Sequence, residues 1–337
     1  MSSTPNVTDL GDYNFSSTPA STDGVADSLR IVQCILLVTT IFLLTLNPLC
    51  LLVLRRVDSI QDTTKVFLRA LIAANLGVGI FLALPMTFAA FNEDWPFGDT
   101  LCGLQAFLLS TIIYSPPASL LMLTVDRYIS VVHALRYPSL VTVNRTRIAV
   151  MSVLGALLLI GIGYNFVGEW HFVYRHTFLF CVCTNDKAGN LTLPFIQVTF
   201  SCIVSFALLT ILITYIRLFL ISRHHERRIH ANNPAALEGN PLPRPGTKTL
   251  HTLLIIVLSA FIFNLLPLLW IVLGDVNMDP LVNFFMFDLP VLTNSWLNVV
   301  IYFFRNKDVR QATRNLLRTY FTLLQQHFPF TCTCDTS

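Results

Sequence analysis

A carboxylate and a guanidinium stand side by side at the end of a long uncharged stretch of the chain. No Asp, Glu, Lys or Arg occurs in 100–125, and Asp126-Arg127-Tyr128 follows directly. Asp126 and Arg127 can form an ion pair, and an arginine keeps its charge and several donors for a new partner when the pair opens. The two residues could therefore act as an electrostatic switch. The simpler interpretation is that they mark where a helix reaches water, with Arg127 extending to the interface.

A second acid, Asp288, lies inside an apolar run at 281–304. A carboxylate buried in a membrane is expensive, so such a residue is a functional hypothesis by default. Asp288 could be the counter-ion of a cationic ligand. Alternatively, it reaches water at the membrane surface or pairs with a donor on a neighbouring helix.

Other chemistries are missing from the sequence. There is no Ser/His/Asp set, no cluster of metal ligands and no phosphate-binding loop, and the spacing of the eight cysteines matches no zinc or redox motif. We therefore predict neither an enzyme nor a bound cofactor or metal. The net charge of +3 comes without a basic tract, so nucleic acid is not an expected partner.

The segments of the chain that position Asp126, Arg127 and Asp288 consist mainly of apolar residues. Of the 337 residues, 54% are hydrophobic and only 12% are charged, whereas soluble domains carry about 25% charged residues. A helix of about 20 apolar residues crosses a bilayer core and satisfies its own backbone there. Seven runs of this length occur, at 31–54, 70–91, 100–125, 148–168, 191–216, 249–274 and 281–304. We predict an all-α membrane protein with a seven-transmembrane helix bundle.

Basic residues are distributed unevenly between the two ends of these helices. Of the 22 Lys and Arg residues, all but Arg30, Arg175 and Lys187 fall on one side. The positive-inside rule makes that side cytoplasmic, so we predict a multi-pass plasma-membrane protein with an extracellular N-terminus. A glycosylation sequon at Asn144 then lies inside the cell and stays unused. The sequons expected to be extracellular and glycosylated begin at Asn6, Asn14 and Asn190.

The predicted helices divide the chain into three parts. We expect an extracellular tail at 1–29, the transmembrane domain at 30–304, and a cytoplasmic segment at 305–337. Basic and apolar residues alternate at helical spacing over 306–321, which is typical of an amphipathic helix on the inner leaflet. Membrane lipid is therefore an expected partner, also of the basic, proline-rich connection at 222–247.

Four local motifs follow one another at consistent spacing: Trp95-Pro96-Phe97-Gly98, Cys102, Asp126-Arg127-Tyr128 and His133-Ala134-Leu135-Arg136-Tyr137-Pro138. Together they resemble the rhodopsin-like (class A) G-protein-coupled receptors. The resemblance implies a receptor that passes an extracellular ligand signal to a cytosolic heterotrimeric G protein. It also implies a disulfide from Cys102 to the second outer loop, with Cys183 or Cys181 as the partner.

The resemblance assigns G-protein coupling and activation to six residues: Asp126, Arg127, Tyr128, Tyr215, Asn298 and Tyr302. Arg127 of the Asp126-Arg127-Tyr128 motif pairs with Asp126 at rest and meets the G protein when freed. Tyr215 matches the tyrosine that meets Arg127 in the active state. Asn298 and Tyr302, in a sequence similar to the helix-seven motif, would rearrange on activation.

On the extracellular side, the resemblance implies a ligand pocket between helices three, five, six and seven. Leu109 stands where amine receptors have an aspartate, and Leu292 where opsins have the retinal lysine. Asp288 favours a small cationic ligand, while a peptide or lipid remains open. The pocket candidates by position are Gln105, Leu109, Tyr114, Trp270 and Asp288.

Several family positions carry other residues. Asn75 replaces the sodium-binding aspartate, Leu265 the helix-six tryptophan, and Val299 the helix-seven proline. Thr247 stands where many relatives have an acid that holds Arg127. We therefore expect no bound sodium and raised basal signalling.

Two other functions fit the sequence less well. A non-signalling scaffold or scavenger receptor on the same fold agrees with the loss of the aspartate and the tryptophan, but not with the intact Asp126-Arg127-Tyr128 and Tyr302. A transporter or channel often shows inverted repeats around a midplane site, and we find no internal repeat.

Overall fold

The computed structural model describes residues 22–133, 135–166, 171–176, 178–184, 202, 204–217, 219–220, 245–273 and 279–327. The helices are α1 (Thr22–Leu54), α2 (Asp62–Val78), α3 (Leu84–Asn92), α4 (Gly98–Val132), α5 (Tyr137–Leu140), α6 (Val143–Phe166), α7 (Val204–Arg217), α8 (Pro245–Leu273), α9 (Pro280–Asn283), α10 (Leu289–Arg305) and α11 (Lys307–His327). Single π-helical turns join α2 to α3 (Gly79–Ala83) and α9 to α10 (Phe284–Asp288).

Within these ranges, five helical segments are long and apolar enough to cross a membrane. They are Asp27–Leu54, Asp62–Asn92, Gly98–Ser130, Val143–Gly163 and Pro280–Arg305. Two shorter apolar helices, Val204–Arg217 and Leu254–Trp270, lie in the predicted fifth and sixth spans. The prediction of an all-α membrane protein is confirmed.

Large apolar side chains on the outer surface of the bundle agree with a lipid environment. Met151 and Leu159 of α6 and Phe206 of α7 are each more than two-thirds exposed. On a water-soluble protein, many large apolar side chains with this degree of exposure are uncommon. In a bilayer the same residues face hydrocarbon chains, which are as apolar as they are.

The buried side chains form two main clusters, one towards each end of the bundle. The Arg127-side cluster includes Leu68, Leu71, Leu120, Leu123, Leu208, Ile211, Tyr215, Ile256, Val257 and Val299. The hairpin-side cluster includes Leu36, Leu43, Leu82, Met86, Leu109, Phe180, Val182, Phe284, Phe287 and Leu292. Together they hold α1, α2, α4, α8 and α10 in fixed relative positions.

A two-stranded antiparallel hairpin lies between α6 and α7, in a segment for which we predicted no strand. Its strands are β1 (His171–Arg175) and β2 (Phe180–Thr184), with Tyr174 opposite Cys181 and Phe172 opposite Cys183. The strands are rich in aromatic and β-branched residues, which favour a pleated, half-buried surface. They are only five residues each, too short for a clear sequence signal.

Helix α11 follows α10 after one residue, as predicted for the amphipathic segment, and continues to His327. Asn306 begins it: its side-chain oxygen accepts hydrogen bonds from the backbone N–H groups of Asp308 (3.0 Å) and Val309 (3.3 Å). Val309 is buried against Val53 of α1 and Val57 just beyond the end of that helix. The helix is thereby attached to the bundle along its apolar face.

Candidate functional site

Asp126 lies at the centre of a buried polar cluster at one end of α4. Only 2% of the residue is exposed. Its Oδ2 accepts hydrogen bonds from Arg127 Nε (3.0 Å), Arg127 Nη2 (2.5 Å) and Thr64 Oγ1 (3.2 Å), and its Oδ1 accepts one from the Tyr137 hydroxyl (2.7 Å). Arg127 Nη2 also donates to Thr64 Oγ1. Both carboxylate oxygens are therefore satisfied while the ion pair is closed.

Tyr137 connects this cluster to α2. Helix α5 begins at Tyr137, with Pro138 in its first turn, and this places the phenol against Asp126. The Tyr137 oxygen is 2.8 Å from Thr63 Oγ1. Burial, followed by the hydrogen bond to Asp126, raises the pKa of Tyr137, so the phenol stays protonated and donates.

Thr63, Thr64 and Tyr137 were not singled out by the sequence. Tyr137 belongs to a quoted motif, but Thr64 and Asp126 are 62 positions apart, and nothing in their local sequence shows that they meet. Tyr128 is also different from expectation. It is 41% exposed and its ring packs edge-on against His133, so it is not part of the Asp126 cluster.

The other three residues assigned to activation lie deeper in the bundle. Tyr215 is buried in the Arg127-side cluster, and Tyr302 packs against it. Asn298 and Tyr302 line a small cavity together with Asn75. The amide oxygens of Asn75 and Asn298 have no hydrogen-bond partner among the described residues. No charged side chain lines this cavity and most of its lining residues are apolar, so it is a poor site for a cation.

Cys102 of α4 forms a disulfide with Cys181 of β2, with the Cα atoms 5.3 Å apart. The sequence left Cys183 and Cys181 open, and the structure selects Cys181. The bond fixes the hairpin to α4. Tyr174 packs beside this disulfide and contacts Trp95. Burial raises the pKa of Tyr174 to about 12, and the negative charge of Asp94 acts in the same direction.

Gln105 has a different position from the one predicted. We expected it to face a ligand, but its side chain makes hydrogen bonds to two backbone segments outside α4. Its Nε2 donates to the Phe81 carbonyl (3.1 Å) and its Oε1 accepts from the Cys181 N–H (3.0 Å). Phe81 lies in the first π-helical turn, where the normal helical hydrogen-bond pattern is interrupted. Gln105 therefore connects α4, this turn and the hairpin.

The remaining pocket candidates lie near the hairpin end of the bundle. Leu109 is buried in the hairpin-side cluster, and Trp270 packs against that cluster. The indole Nε1 of Trp270 donates to Asn283 Oδ1 at 2.8 Å, which joins α8 to α9. Tyr114 is half-buried in α4. Leu109 and Trp270 thus share an apolar environment, whereas the side chain of Gln105 is hydrogen-bonded to backbone groups.

Asp288 closes the second π-helical turn and is 2% exposed. Its Oδ2 has no hydrogen-bond partner, and its carboxylate has no ion-pair partner, in the part of the chain that the structure describes. The alternative that Asp288 extends to surface water is therefore wrong for this conformation. A buried carboxylate oxygen without a hydrogen-bond partner is costly, so a donor brought by a ligand would be favoured at Oδ2.

Four predicted residues fall outside the described parts of the chain. The sequons at Asn6, Asn14 and Asn190 lie there, as does the side chain of Cys183. Among the residues that are described, no three His, Cys, Asp or Glu side chains are placed to hold a metal ion.

The family model described as 7 transmembrane receptor (rhodopsin family) matches residues 46–302, well over half of the chain. The chain belongs to this family. The dog histamine H2 receptor is 30% identical over 276 residues, covering 77% of this chain and 71% of the relative. The rat G-protein coupled receptor 3 is 32% identical over 253 residues, covering 72% and 70%.

A more distant relative covers more of the receptor. The octopamine receptor beta-2R of Chilo suppressalis is 25% identical over 346 residues, which is 92% of this chain and 85% of that protein. All three relatives are receptors. The protein is accordingly a rhodopsin-like G-protein-coupled receptor and not an enzyme.

Proposed function

We propose that this receptor transmits the binding of an extracellular ligand to a cytosolic heterotrimeric G protein by releasing Arg127 from Asp126. The observation that carries the proposal is the buried ion pair at the end of α4. The side chain of Arg127 is 14% exposed and that of Asp126 is fully enclosed. Opening the cluster would therefore expose to the G protein a guanidinium that is now largely buried.

This function requires a defined orientation of the chain in the plasma membrane. The tail at 1–29 is extracellular and glycosylated, the domain at 30–304 spans the membrane, and 305–337 lies in the cytoplasm. In this orientation Arg127 and α11 both meet the cytosol. The basic residues of α11, Lys307, Arg310, Arg314 and Arg318, are then available to lipid headgroups.

The chemistry favours a small cationic ligand with an apolar body. Asp288 supplies a buried carboxylate with an unpartnered oxygen, while Leu109, Trp270 and their neighbours are apolar. Two of the relatives are named as receptors for histamine and octopamine, which are amines. Because Leu109 carries no charge, Asp288 is the residue that we expect to meet the ammonium group.

The raised basal signalling expected from the sequence stays a prediction. Many relatives have an acid at the position of Thr247 that holds Arg127 in the resting state. Here the four hydrogen bonds to Asp126 stabilise the closed ion pair instead. Receptor conformations are in equilibrium, and G protein binds those with Arg127 free. The level of basal activity therefore depends on how much these hydrogen bonds favour the closed pair.

The test compares wild type, Arg127→Ala and Asp126→Asn in cells at matched surface expression, across a panel of G-protein subtypes. Asp126→Asn removes the charge that holds Arg127, so its basal signalling should exceed that of wild type for at least one subtype. Arg127→Ala should stay at background. If Asp126→Asn is indistinguishable from Arg127→Ala for every subtype, the non-signalling scaffold becomes the better description.

A further inference from the structure

The turn of the hairpin inserts apolar side chains among the helices. Phe178 and Leu179 lie in the connection from β1 to β2, directly before β2, and we call these two residues the hairpin tip. Both are partly buried and pack against the hairpin-side cluster, to which Leu109 and Leu292 belong. These two leucines occupy the positions at which amine receptors and opsins bind their ligands, so the tip lies against the expected ligand site.

Aromatic contacts show how the tip is held. The Phe178 ring packs edge-on against Phe287, with the ring centroids 6.4 Å apart and the planes at 73°, and its centroid is 5.6 Å from that of Phe180. This geometry is favourable for aromatic rings. Phe287 immediately precedes Asp288 in the second π-helical turn. Phe178 thus fills space next to the helix that carries the buried carboxylate.

The backbone of the tip is strained. Leu179 has φ of 56°, a left-handed conformation that side chains with a β-carbon rarely adopt. The Phe178 and Leu179 N–H groups both donate to the Arg175 carbonyl, at 3.0 and 2.9 Å. Such strain persists where surrounding contacts impose it, and it is common at ligand sites and switch regions. Here the contacts with the hairpin-side cluster provide that constraint.

Two bonds to α4 hold the base of the tip in place. Cys181, two residues after Leu179, is linked to Cys102 by the disulfide and to Gln105 by a hydrogen bond of its N–H. A group tethered this closely competes at a high effective concentration with any free molecule for the same space. Neither of these two bonds involves Phe178 or Leu179, so displacing the tip would leave both bonds intact.

We propose that the hairpin tip is a tethered occupant of the ligand site, and that the activating molecule carries an aromatic group that replaces the Phe178 ring. This inference rests on the proposed function. In the conformation described, the tip is in place while Arg127 is paired with Asp126, and we assign both to the resting state. A ligand that displaces it shifts the equilibrium towards the conformation with Arg127 free.

The first experiment tests the site in the purified full-length receptor, with indole as the probe. Phe178→Ala leaves an apolar cavity, so this variant should unfold at a lower temperature than wild type. Indole should raise its unfolding temperature in a saturable way, with little effect on wild type. The matched control is Phe172→Ala, because Phe172 lies on β1 of the same hairpin and is 39% exposed. An equal response to indole in all three proteins would overturn the proposal.

The second experiment measures basal signalling in cells at matched surface expression. Phe178→Ala should signal several-fold more than Phe172→Ala, and adding Arg127→Ala should abolish the increase. Basal signalling equal to or below that of the control overturns the assignment of the tip to the resting state. If neither Phe178→Ala nor Asp126→Asn raises basal signalling, the proposed function is wrong. The indole experiment then still decides whether Phe178 fills a binding site.

Discussion

At the scale of single residues, Asp126 illustrates how a buried charge is kept available for release. Four hydrogen bonds from three side chains stabilise the carboxylate, so losing any one partner leaves it only partly compensated. An ion pair of this kind contributes little to stability relative to apolar packing, but breaking it on one side is costly. Any other arrangement of the cluster must therefore give Asp126 new partners or expose its carboxylate to water.

Tyr137→Phe should raise basal signalling, though less than Asp126→Asn. The change removes the donor to Asp126 Oδ1 and the link to Thr63 while preserving the ring. The loss of hydrogen bonding should also cost about 1 kcal/mol of stability. Reporter assays in cells and thermal unfolding of the purified receptor measure the two effects. Tyr320→Phe is the control, because Tyr320 lies on α11 and is exposed; a matching increase there would contradict the role of Tyr137.

At this scale, the residue types predicted the chemistry of the site but not which side chains would contact one another. The proximity of Asp126 and Arg127 follows from their adjacency in the sequence, and so the ion pair could be anticipated. Thr63, Thr64 and Tyr137 come from other segments and meet Asp126 only after the helices pack. Gln105 was assigned to the pocket from its position, since the sequence gives no sign that the Phe81 carbonyl is free to accept its hydrogen bond.

At the scale of elements, the connection between the hairpin and the helices depends on Gln105. Gln105→Met keeps the size of the side chain but leaves the Phe81 carbonyl and the Cys181 N–H without this partner. Each unsatisfied buried group costs roughly 1–3 kcal/mol. We expect the unfolding temperature of the purified receptor to fall by several degrees.

A matched control for Gln105→Met is Gln33→Met. Gln33 is partly buried in α1 and makes one hydrogen bond, from its Nε2 to the Ala90 carbonyl at 2.9 Å. The loss of one bond should destabilise less than the loss of two. If Gln33→Met is as destabilising as Gln105→Met, the hairpin does not depend on Gln105.

Apolar runs predicted the helices because a membrane helix needs a long and nearly uninterrupted sequence of one kind of residue. The run beginning at 31 was correct in type, although α1 starts at Thr22, since helical hydrogen bonding continues beyond the apolar part. The hairpin had no comparable signal. Its pairing depends on the contact with α4, and a contact between distant segments is not visible in a local pattern.

At the scale of the whole molecule, the uneven distribution of basic residues implies one orientation in the membrane. That orientation places the sequons at Asn6, Asn14 and Asn190 in the secretory lumen and the one at Asn144 in the cytosol. Glycosidase treatment should therefore lower the apparent mass of the wild-type receptor on a gel.

Replacing Asn6, Asn14 and Asn190 together with Gln should abolish that change in mobility, whereas Asn144→Gln should leave it intact. Asn144 is exposed in the first turn of α6, so accessibility does not explain a lack of modification. A glycan on Asn144 would mean that the orientation is the reverse of the one proposed.

The two π-helical turns affect how this receptor is compared with others. Each turn uses about one more residue than an α-helical turn, so the side chains beyond it are rotated relative to those before it. Outer residues can be assigned by counting from Asn75 past Gly79–Ala83, or from Asn298 towards the N-terminus past Phe284–Asp288. When the relative has a regular helix, this count assigns the outer residues to the wrong face. An alignment with such a relative needs a single-residue gap inside each of these helices. Homology models and mutational scans built without those gaps would misplace the residues lining the entrance to the receptor.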